Sequence, residues 1–319
     1  MPKNSRLVGK IPVLAVVSIG FLALFAIGFA SGPLGKSMLG DVGLPAWLSV
    51  TRPSPQLPPE TAFILFGFSV TNSVIASWFT IIFLVGFCYA VSRRMKIIPG
   101  RLQSAFEFML GGLYDFCNGV AGEENGRRFF PVVATIFLFV AFNAWLSLIP
   151  GFGSIEIVNP EGHSVHLLRG ANTDINMPLA LALMSFVFVE YFGLRTLGFR
   201  YLGKFFNVGQ FGQGMRELFR GKPKAGLGKL FTGAIDIFVG MLEMLSEFIR
   251  IVSFTFRLFG NMTAGEILLV IAMFLVPWVF ALPFYGLELL VGFVQALIFG
   301  GLTLVFLTVA TVHHEPEAA

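Results

Sequence analysis

The sequence has few charged residues for its length. Asp, Glu, Lys and Arg make up only 13% of its 319 residues, whereas about a quarter of a typical soluble domain is charged. Hydrophobic residues make up 55% of the chain. A chain of this composition cannot cover its surface with groups that water solvates, so we exclude the soluble globular class and predict an integral membrane protein.

Cysteine and histidine are also scarce, with two and four residues respectively. Cys88 and Cys117 follow no metal-binding or redox spacing, so we expect them to be ordinary residues of membrane or interfacial segments. The histidines form one pair within residues 163–166 and another at 313–314. Such pairs in loops and tails are usually exposed, and we predict neither a metal site nor a cofactor.

Long apolar segments account for most of the sequence. Crossing the hydrocarbon core takes about 20 helical residues, and six segments are long enough. They comprise residues 11–31, 70–91, 130–150, 177–197, 235–276 and 279–312. We therefore predict an all-α membrane protein with about six transmembrane helices.

The segment 101–122 has a different pattern. Its apolar residues recur every three or four positions, and Arg101, Glu107 and Asp115 interrupt any spanning run. This spacing predicts one amphipathic helix that lies in the membrane interface and does not cross the bilayer.

The distribution of basic residues indicates the orientation. If the N-terminus is cytoplasmic, only Lys36, Arg52 and Arg169 lie outside, and two arginines lie within spans. The other Lys and Arg residues then face the cytoplasm, as the positive-inside rule requires. The long basic segment 201–229 is expected to be a solvated cytoplasmic loop near anionic headgroups, and its role stays open.

The first apolar segment has two interpretations. A basic N-terminus, an apolar core and the sequence GFAS also describe a signal peptide. The apolar run of segment 11–31 is longer than the usual 7–15 residues of a signal peptide, which favours a retained anchor. Cleavage after Ala30 would leave five crossings and an external N-terminus.

The fifth span contains ionisable residues at Asp236, Glu243, Glu247, Arg250 and Arg257. Four of them are seven residues apart, so they form one polar stripe along a helix. A charge at mid-bilayer costs about 2.5–3.5 kcal/mol on insertion scales, so the stripe must face water, protein or a moving partner. Structural pairs of Glu243 with Glu247 or Arg250, at spacings of four and seven, are the alternative, but Arg257 lies deeper and is harder to neutralise.

The last span adds Glu288 and Gln295, seven residues apart on one face. Glu288 can lie near Glu266 if the last two helices form an antiparallel hairpin. Neighbouring carboxylates share protons readily, whereas a guanidinium cannot relay one. Carboxylates on both sides of Arg257 therefore predict two offset half-pathways that need a separate carrier to connect them.

Several motifs resemble one family, the a subunit of the membrane (Fo) sector of F-type ATP synthases. The most specific are RLFGNMTAGE at 257–266 and GLELLVGFVQALIF at 286–299, with LSLIPGFG and ANTDINMPLALAL as further matches. The resemblance covers about residues 59–312. It implies, at 59–319, a five-helix membrane domain whose last two helices form a long tilted hairpin. Residues 1–58, which we predict to be an N-terminal anchor helix and an external segment, precede this common core and depart from the family pattern.

The resemblance also implies a function. The chain would be a non-catalytic stator subunit of the cell inner membrane, with both termini cytoplasmic if the first span is retained. It would bind a ring of c subunits, the b subunits of the peripheral stalk and lipid, but no nucleic acid. Proton flow would drive ring rotation and ATP synthesis; Na⁺ is the less expected ion.

The resemblance assigns roles to particular residues. Arg257 would be the essential arginine that makes each ring carboxylate release its proton. The outer half-channel would contain Glu266, Glu288, Asn261, Gln295 and Asp174, and the cytoplasmic half-channel Glu243 and Ser246. Asp174 could instead cap a helix. Ile251 stands where the family often has proline, which puts a local kink in doubt.

Two other classes remain as alternatives. A secondary transporter would use Arg257 to bind an anionic substrate at mid-membrane, and would contain internal repeats, which we do not find. A scaffold would use its charges only to bind neighbouring helices, and would tolerate neutral replacements at Glu266 and Glu288.

Overall fold

The protein is described here by a computed structural model. The described residues are 10–40, 45, 58–93, 95–158, 164–198, 201, 203, 205, 209–219 and 223–311, with the backbone alone at 10–14 and 223–225.

The described residues form nine α-helices. They are α1 (Lys10–Ser31), α2 (Pro33–Leu39), α3 (Asn72–Arg93), α4 (Arg101–Ala121), α5 (Glu123–Ser147), α6 (Asn176–Leu197), α7 (Gly209–Phe219), α8 (Pro223–Leu275) and α9 (Leu282–Thr311). By length and composition, α3, α5, α6, α8 and α9 can cross a membrane. A sixth span is possible if α1 and α2, which meet at a bend of 77°, count as one. The predicted all-α membrane class is confirmed.

Helix α4 lies where the amphipathic segment is predicted. Its buried residues are Leu113 and Cys117, which are four apart and therefore on one face, whereas Phe108 is exposed. Its position in the membrane interface stays a prediction.

The second predicted span begins too early. Residues 70 and 71 belong to a strand, and the helix begins at Asn72. Strands β1 (Thr61–Leu65) and β2 (Phe68–Thr71) form an antiparallel hairpin. Phe66 and Gly67 make its turn, with φ of 50° and 84°, values typical of tight hairpin turns. An apolar hairpin followed directly by an apolar helix looks like one long run in sequence.

The third and last predicted spans also have different boundaries. Helix α5 begins seven residues before position 130, and Glu123 and Glu124 in its first turn interact favourably with the helix dipole. It ends at Ser147, before the predicted end at 150. Helix α9 begins at Leu282, not at 279, because a turn with Trp278 at φ 78° precedes it. Position 312 lies outside the described residues.

A second hairpin follows α5. Strand β3 (Glu156–Val158) pairs antiparallel with β4 (Ser164–His166), and a short 3-10 turn at Ala171–Thr173 leads toward α6. The sequence analysis predicts neither strand.

The prediction of a solvated loop at 201–229 is wrong for the described part. Helix α7 and the start of α8 occupy much of it, and Lys229 Nζ lies 2.6 Å from Glu217 Oε1. Tyr201 is buried, and its hydroxyl donates to Glu190 Oε1 at 3.2 Å. Burial raises the pKa of the Tyr201 hydroxyl.

The chain divides into two compact units. Unit 1 comprises Met1–Ser77, Asn143–Asp174 and Gly260–Val294; unit 2 comprises Trp78–Phe142, Ile175–Phe259 and Gln295–Ala319. These two units do not test the predicted domain boundary after residue 58, which therefore stays a prediction.

Close backbone contacts hold the elements of unit 1 together. A Cβ on Gly28 of α1, or on Gly32 between α1 and α2, would overlap the carbonyl oxygens of Pro277 and Leu275, respectively, so only glycine allows this approach. Trp145 Nε1 also donates to the carbonyl of Leu289 at 3.1 Å.

Aromatic and hydroxyl contacts hold the core of unit 2. The rings of Phe254 and Phe299 have centroids 4.8 Å apart. The hydroxyls of Ser185 and Thr303 are hydrogen-bonded at 2.8 Å, which satisfies both buried groups without water.

Candidate functional site

Unit 1 contains a polar cavity of about 550 Å³. Helices α8 and α9, the start of α3 and the segment after β4 all contribute to its wall. Its lining includes Asn72, Arg169, Asn172, Glu266 and Glu288. The cavity therefore brings together side chains that are far apart in the sequence.

The structure brings Glu266 and Glu288 to the same cavity, as the hairpin prediction requires. Glu288 is 8% exposed. Its carboxyl lies directly against Gly265, where an added Cβ would overlap both oxygens. Gly265, which the sequence analysis does not single out, is thus the residue whose missing side chain makes room for this carboxyl.

Glu266 pairs with an arginine, a partner that the sequence analysis misses. Arg169 Nε donates to Glu266 Oε1 at 3.1 Å and to Oε2 at 3.3 Å, and Nη2 donates to Oε2 at 3.1 Å. Arg169 Nη1 also donates to the carbonyl of Pro58 at 3.2 Å. The only sequence signal for this residue is its position as one of three basic residues on the predicted outer side.

Asp174 is buried and accepts a hydrogen bond from Ser73 Oγ at 2.7 Å. Asp174 directly precedes Ile175, the residue at the N-cap position of α6. The helix-cap alternative for Asp174 stays a prediction. Ser73 is a second residue that sequence reasoning misses.

Two buried asparagines on the cavity wall have unused hydrogen-bonding groups. Asn172 and Asn72 are each 1% exposed. Among the described residues, the Oδ1 and Nδ2 atoms of Asn172 have no hydrogen-bond partner, and the same is true of the Oδ1 atom of Asn72. Buried polar atoms of this kind are normally satisfied by water, so this wall suits a hydrated cavity.

Arg257 lies in unit 2. Its Nη2 is 3.4 Å from Ser253 Oγ, and its guanidinium lies 5.9 Å from the ring centre of Phe254. Among the described residues, no carboxylate forms an ion pair with Arg257.

The other charged residues of α8 behave differently. Arg250 Nη1 lies 2.6 Å from Glu247 Oε2, and its guanidinium lies 3.6 Å from the ring centre of Phe306. This ion pair has a spacing of three residues and joins Arg250 to Glu247, a pairing that the sequence analysis does not name. Glu243 is half-buried and Ser246 is exposed.

The remaining predicted site residues are separated between the units. Asn261 is exposed in unit 1, whereas Gln295 is 2% exposed in unit 2. Within the part of the chain that the structure describes, no group of three or more His, Cys, Asp or Glu is arranged to hold a metal ion. Residues 163, 313 and 314, three of the four histidines, lie outside that part.

Comparison with known proteins identifies the family. The model of the family described as ATP synthase A chain matches residues 74–308. The chain belongs to this family. The matched segment contains Arg257, Glu266, Glu288 and Gly265, whereas α1 and the first hairpin precede it.

Individual members of the ATP synthase A chain family are similar over most of their length. Subunit a of Desulfosudis oleivorans is 31% identical over 241 residues, covering 75% of this chain and 88% of the relative. Subunit a of Gloeobacter violaceus is 30% identical over 245 residues, covering 76% and 85%. Subunit a of Helicobacter pylori is 29% identical over 254 residues, covering 78% and 94%.

Family membership and the apolar helices agree on what the protein is. It is a multi-pass membrane protein and a component of an ATP synthase. The match supports the predicted role as the proton-channel stator subunit, which the sequence motifs indicate independently.

Proposed function

We propose that this protein is a non-catalytic stator that carries protons through two offset half-channels and so drives rotation of a c-subunit ring. The family match across residues 74–308 is the observation that carries this proposal. The cavity lined by Glu266 and Glu288, two glutamates of the matched segment, supports it.

In this proposal, the outer half-channel is the cavity of unit 1. Protons enter through hydrated polar groups and reach Glu288, from which they pass to a carboxylate of the ring. The family resemblance also assigns Asn261, Gln295 and Asp174 to the outer half-channel, although the lining of this cavity does not include them. Glu243 and Ser246 belong to the cytoplasmic half-channel, through which protons leave.

Arg257 keeps the two half-channels separate. A guanidinium stays protonated at any physiological pH and repels a proton. It also attracts a ring carboxylate once that group has lost its proton. An arginine without a carboxylate partner among the described residues suits this task, because an internal ion pair would have to break at each step.

The partners and the location follow from the same proposal. The c ring and the b subunits of the peripheral stalk bind the protein in the cell inner membrane, and H⁺ is the transported ion in preference to Na⁺. Both termini face the cytoplasm if α1 is retained. N-terminal sequencing of the mature protein decides between a retained anchor and cleavage after Ala30.

The direct test is ATP-driven acidification of inverted membrane vesicles that contain Arg257→Ala, with immunoblotting to establish that the complex assembles. We expect pumping to be lost, while passive proton leak through the sector stripped of its catalytic part survives or rises. Arg216→Ala, at an exposed arginine of α7, is the matched control and should pump normally. Retained pumping with Arg257→Ala would contradict the stator role.

A second test concerns proton entry. Glu288→Gln removes the titratable group but keeps the size of the side chain, so assembly should persist and pumping should slow. Normal pumping by this variant would contradict a channel role for Glu288.

A further inference from the structure

Two of the three glutamates that line the cavity, Glu266 and Glu288, have different surroundings. Arg169 contacts both oxygens of Glu266 through two of its nitrogens. Its third nitrogen is bound to the carbonyl of Pro58, so the guanidinium is held from both sides. A two-point contact of this kind fixes orientation as well as charge.

In the ion pair of Arg169 and Glu266, the arginine side chain is shielded from solvent more than the glutamate side chain. The Arg169 side chain is 12% exposed and that of Glu266 is 39% exposed. Removing one member of a partly buried ion pair leaves the other charge unpaired, which is more harmful than removing both. Glu266 therefore cannot take up a proton without leaving Arg169 uncompensated.

Glu288 is not bound in this way. It is 8% exposed, and among the described residues it forms no ion pair and no hydrogen bond. Its carboxyl lies against Gly265 on the wall of the same cavity. Glu288 can gain and lose a proton without breaking an ion pair.

We propose that Arg169 divides the work between these carboxylates: it fixes Glu266 as a stationary negative charge and leaves Glu288 as the group that carries the proton. Arg169 is a positioning residue that acts through Glu266. The fixed ion pair of these two residues sets the electrostatic field at the entrance of the outer half-channel. The inference rests on the proposed function, because it concerns the same half-channel.

Charge-neutral replacements, alone and together, test this division. The variants are Arg169→Gln, Glu266→Gln and the double variant, assayed by ATP-driven acidification of inverted vesicles after immunoblotting for assembly. Each single variant leaves one charge unpaired, so pumping should fall at least about tenfold. The double variant removes both charges and should recover to within about threefold of the unsubstituted protein.

Conservative and matched variants separate charge from structure. Arg169→Lys keeps the positive charge and should pump better than Arg169→Gln, which a purely steric role would not predict. The double variant Arg169→Glu with Glu266→Arg exchanges the two charges. It should also pump better than either of these single variants. Lys36→Gln removes a positive charge from an exposed lysine without an ion pair among the described residues, and should leave pumping unchanged.

The outcomes distinguish the inference from the proposed function. If the double variant pumps no better than Glu266→Gln, Glu266 itself carries the proton and the inference is overturned. Normal pumping by Arg169→Gln would overturn it as well. Neither result affects the test with Arg257→Ala, so the stator role can stand when the division of work fails.

Discussion

Replacing Gly265 with alanine tests whether the position of the Glu288 carboxyl controls proton entry. The added methyl would overlap this carboxyl group. Because nonbonded carbon atoms prefer about 3.5–4.0 Å, the carboxyl must retreat by roughly 1 Å. A misplacement of that size can slow a reaction about 100-fold, so we expect ATP-driven acidification of inverted vesicles to fall by up to about that factor.

The same substitution should have little effect on assembly. Alanine favours a helix over glycine by about 0.5–1 kcal/mol, whereas overpacking costs about 1–3 kcal/mol. The net change at position 265 is therefore roughly 0–2.5 kcal/mol of destabilisation, and immunoblotting should detect the subunit in the complex. Gly286→Ala is the matched control, since a Cβ there meets no atom within 4 Å although it lies two residues from Glu288.

A compensating change makes the test specific. Glu288→Asp shortens the side chain by one carbon–carbon bond, about 1.5 Å, and should withdraw the carboxyl from the new methyl group. Combined with Gly265→Ala, it should pump better than Gly265→Ala alone. Normal acidification by an assembled Gly265→Ala complex would refute the reasoning, because the carboxyl position would then not limit proton entry.

Three further predictions concern stability and reactivity. Ser73→Ala removes the donor to Asp174 and should lower the free energy of unfolding by about 1.5–3 kcal/mol; an unchanged thermal transition of the detergent-solubilised protein would contradict this. Burial raises the pKa of Cys117 to about 11, so its thiol is protonated at pH 8. Labelling of Cys117 by maleimide should therefore require denaturant, and rapid labelling of Cys117 in the native protein would show that its thiol is accessible. Gly28→Val forces a side chain into a backbone carbonyl and should lower the thermal midpoint, whereas Gly20→Val, with open space around it, should not.

The sequence predicts the membrane helices well because length and composition determine them. A run of about 20 apolar residues can satisfy its backbone in lipid only as a helix, and α6 lies within one residue of its predicted start. The first hairpin is missed for the opposite reason. Its residues are as apolar as the helix that follows, and β2 ends at Thr71, directly before α3 begins at Asn72.

The contacts within the site are harder to predict. The sequence identifies Glu266 and Glu288 as site residues because both lie in apolar spans, where an ionisable side chain is costly and usually functional. The partner of Glu266 is not found, because Arg169 lies 97 residues earlier in the chain. The contact between Glu288 and Gly265 is equally hidden, since it depends on the packing of α8 against α9 within unit 1.

The distance in sequence between Arg169 and Glu266 also has a consequence for biosynthesis. Arg169 leaves the ribosome 97 residues before its partner, so the segment after β4 is complete while its guanidinium still lacks a counter-charge. The pair can form only after α8 has entered the membrane. A nascent chain that stops before Glu266 therefore lacks the carboxylate that Arg169 contacts in the complete protein.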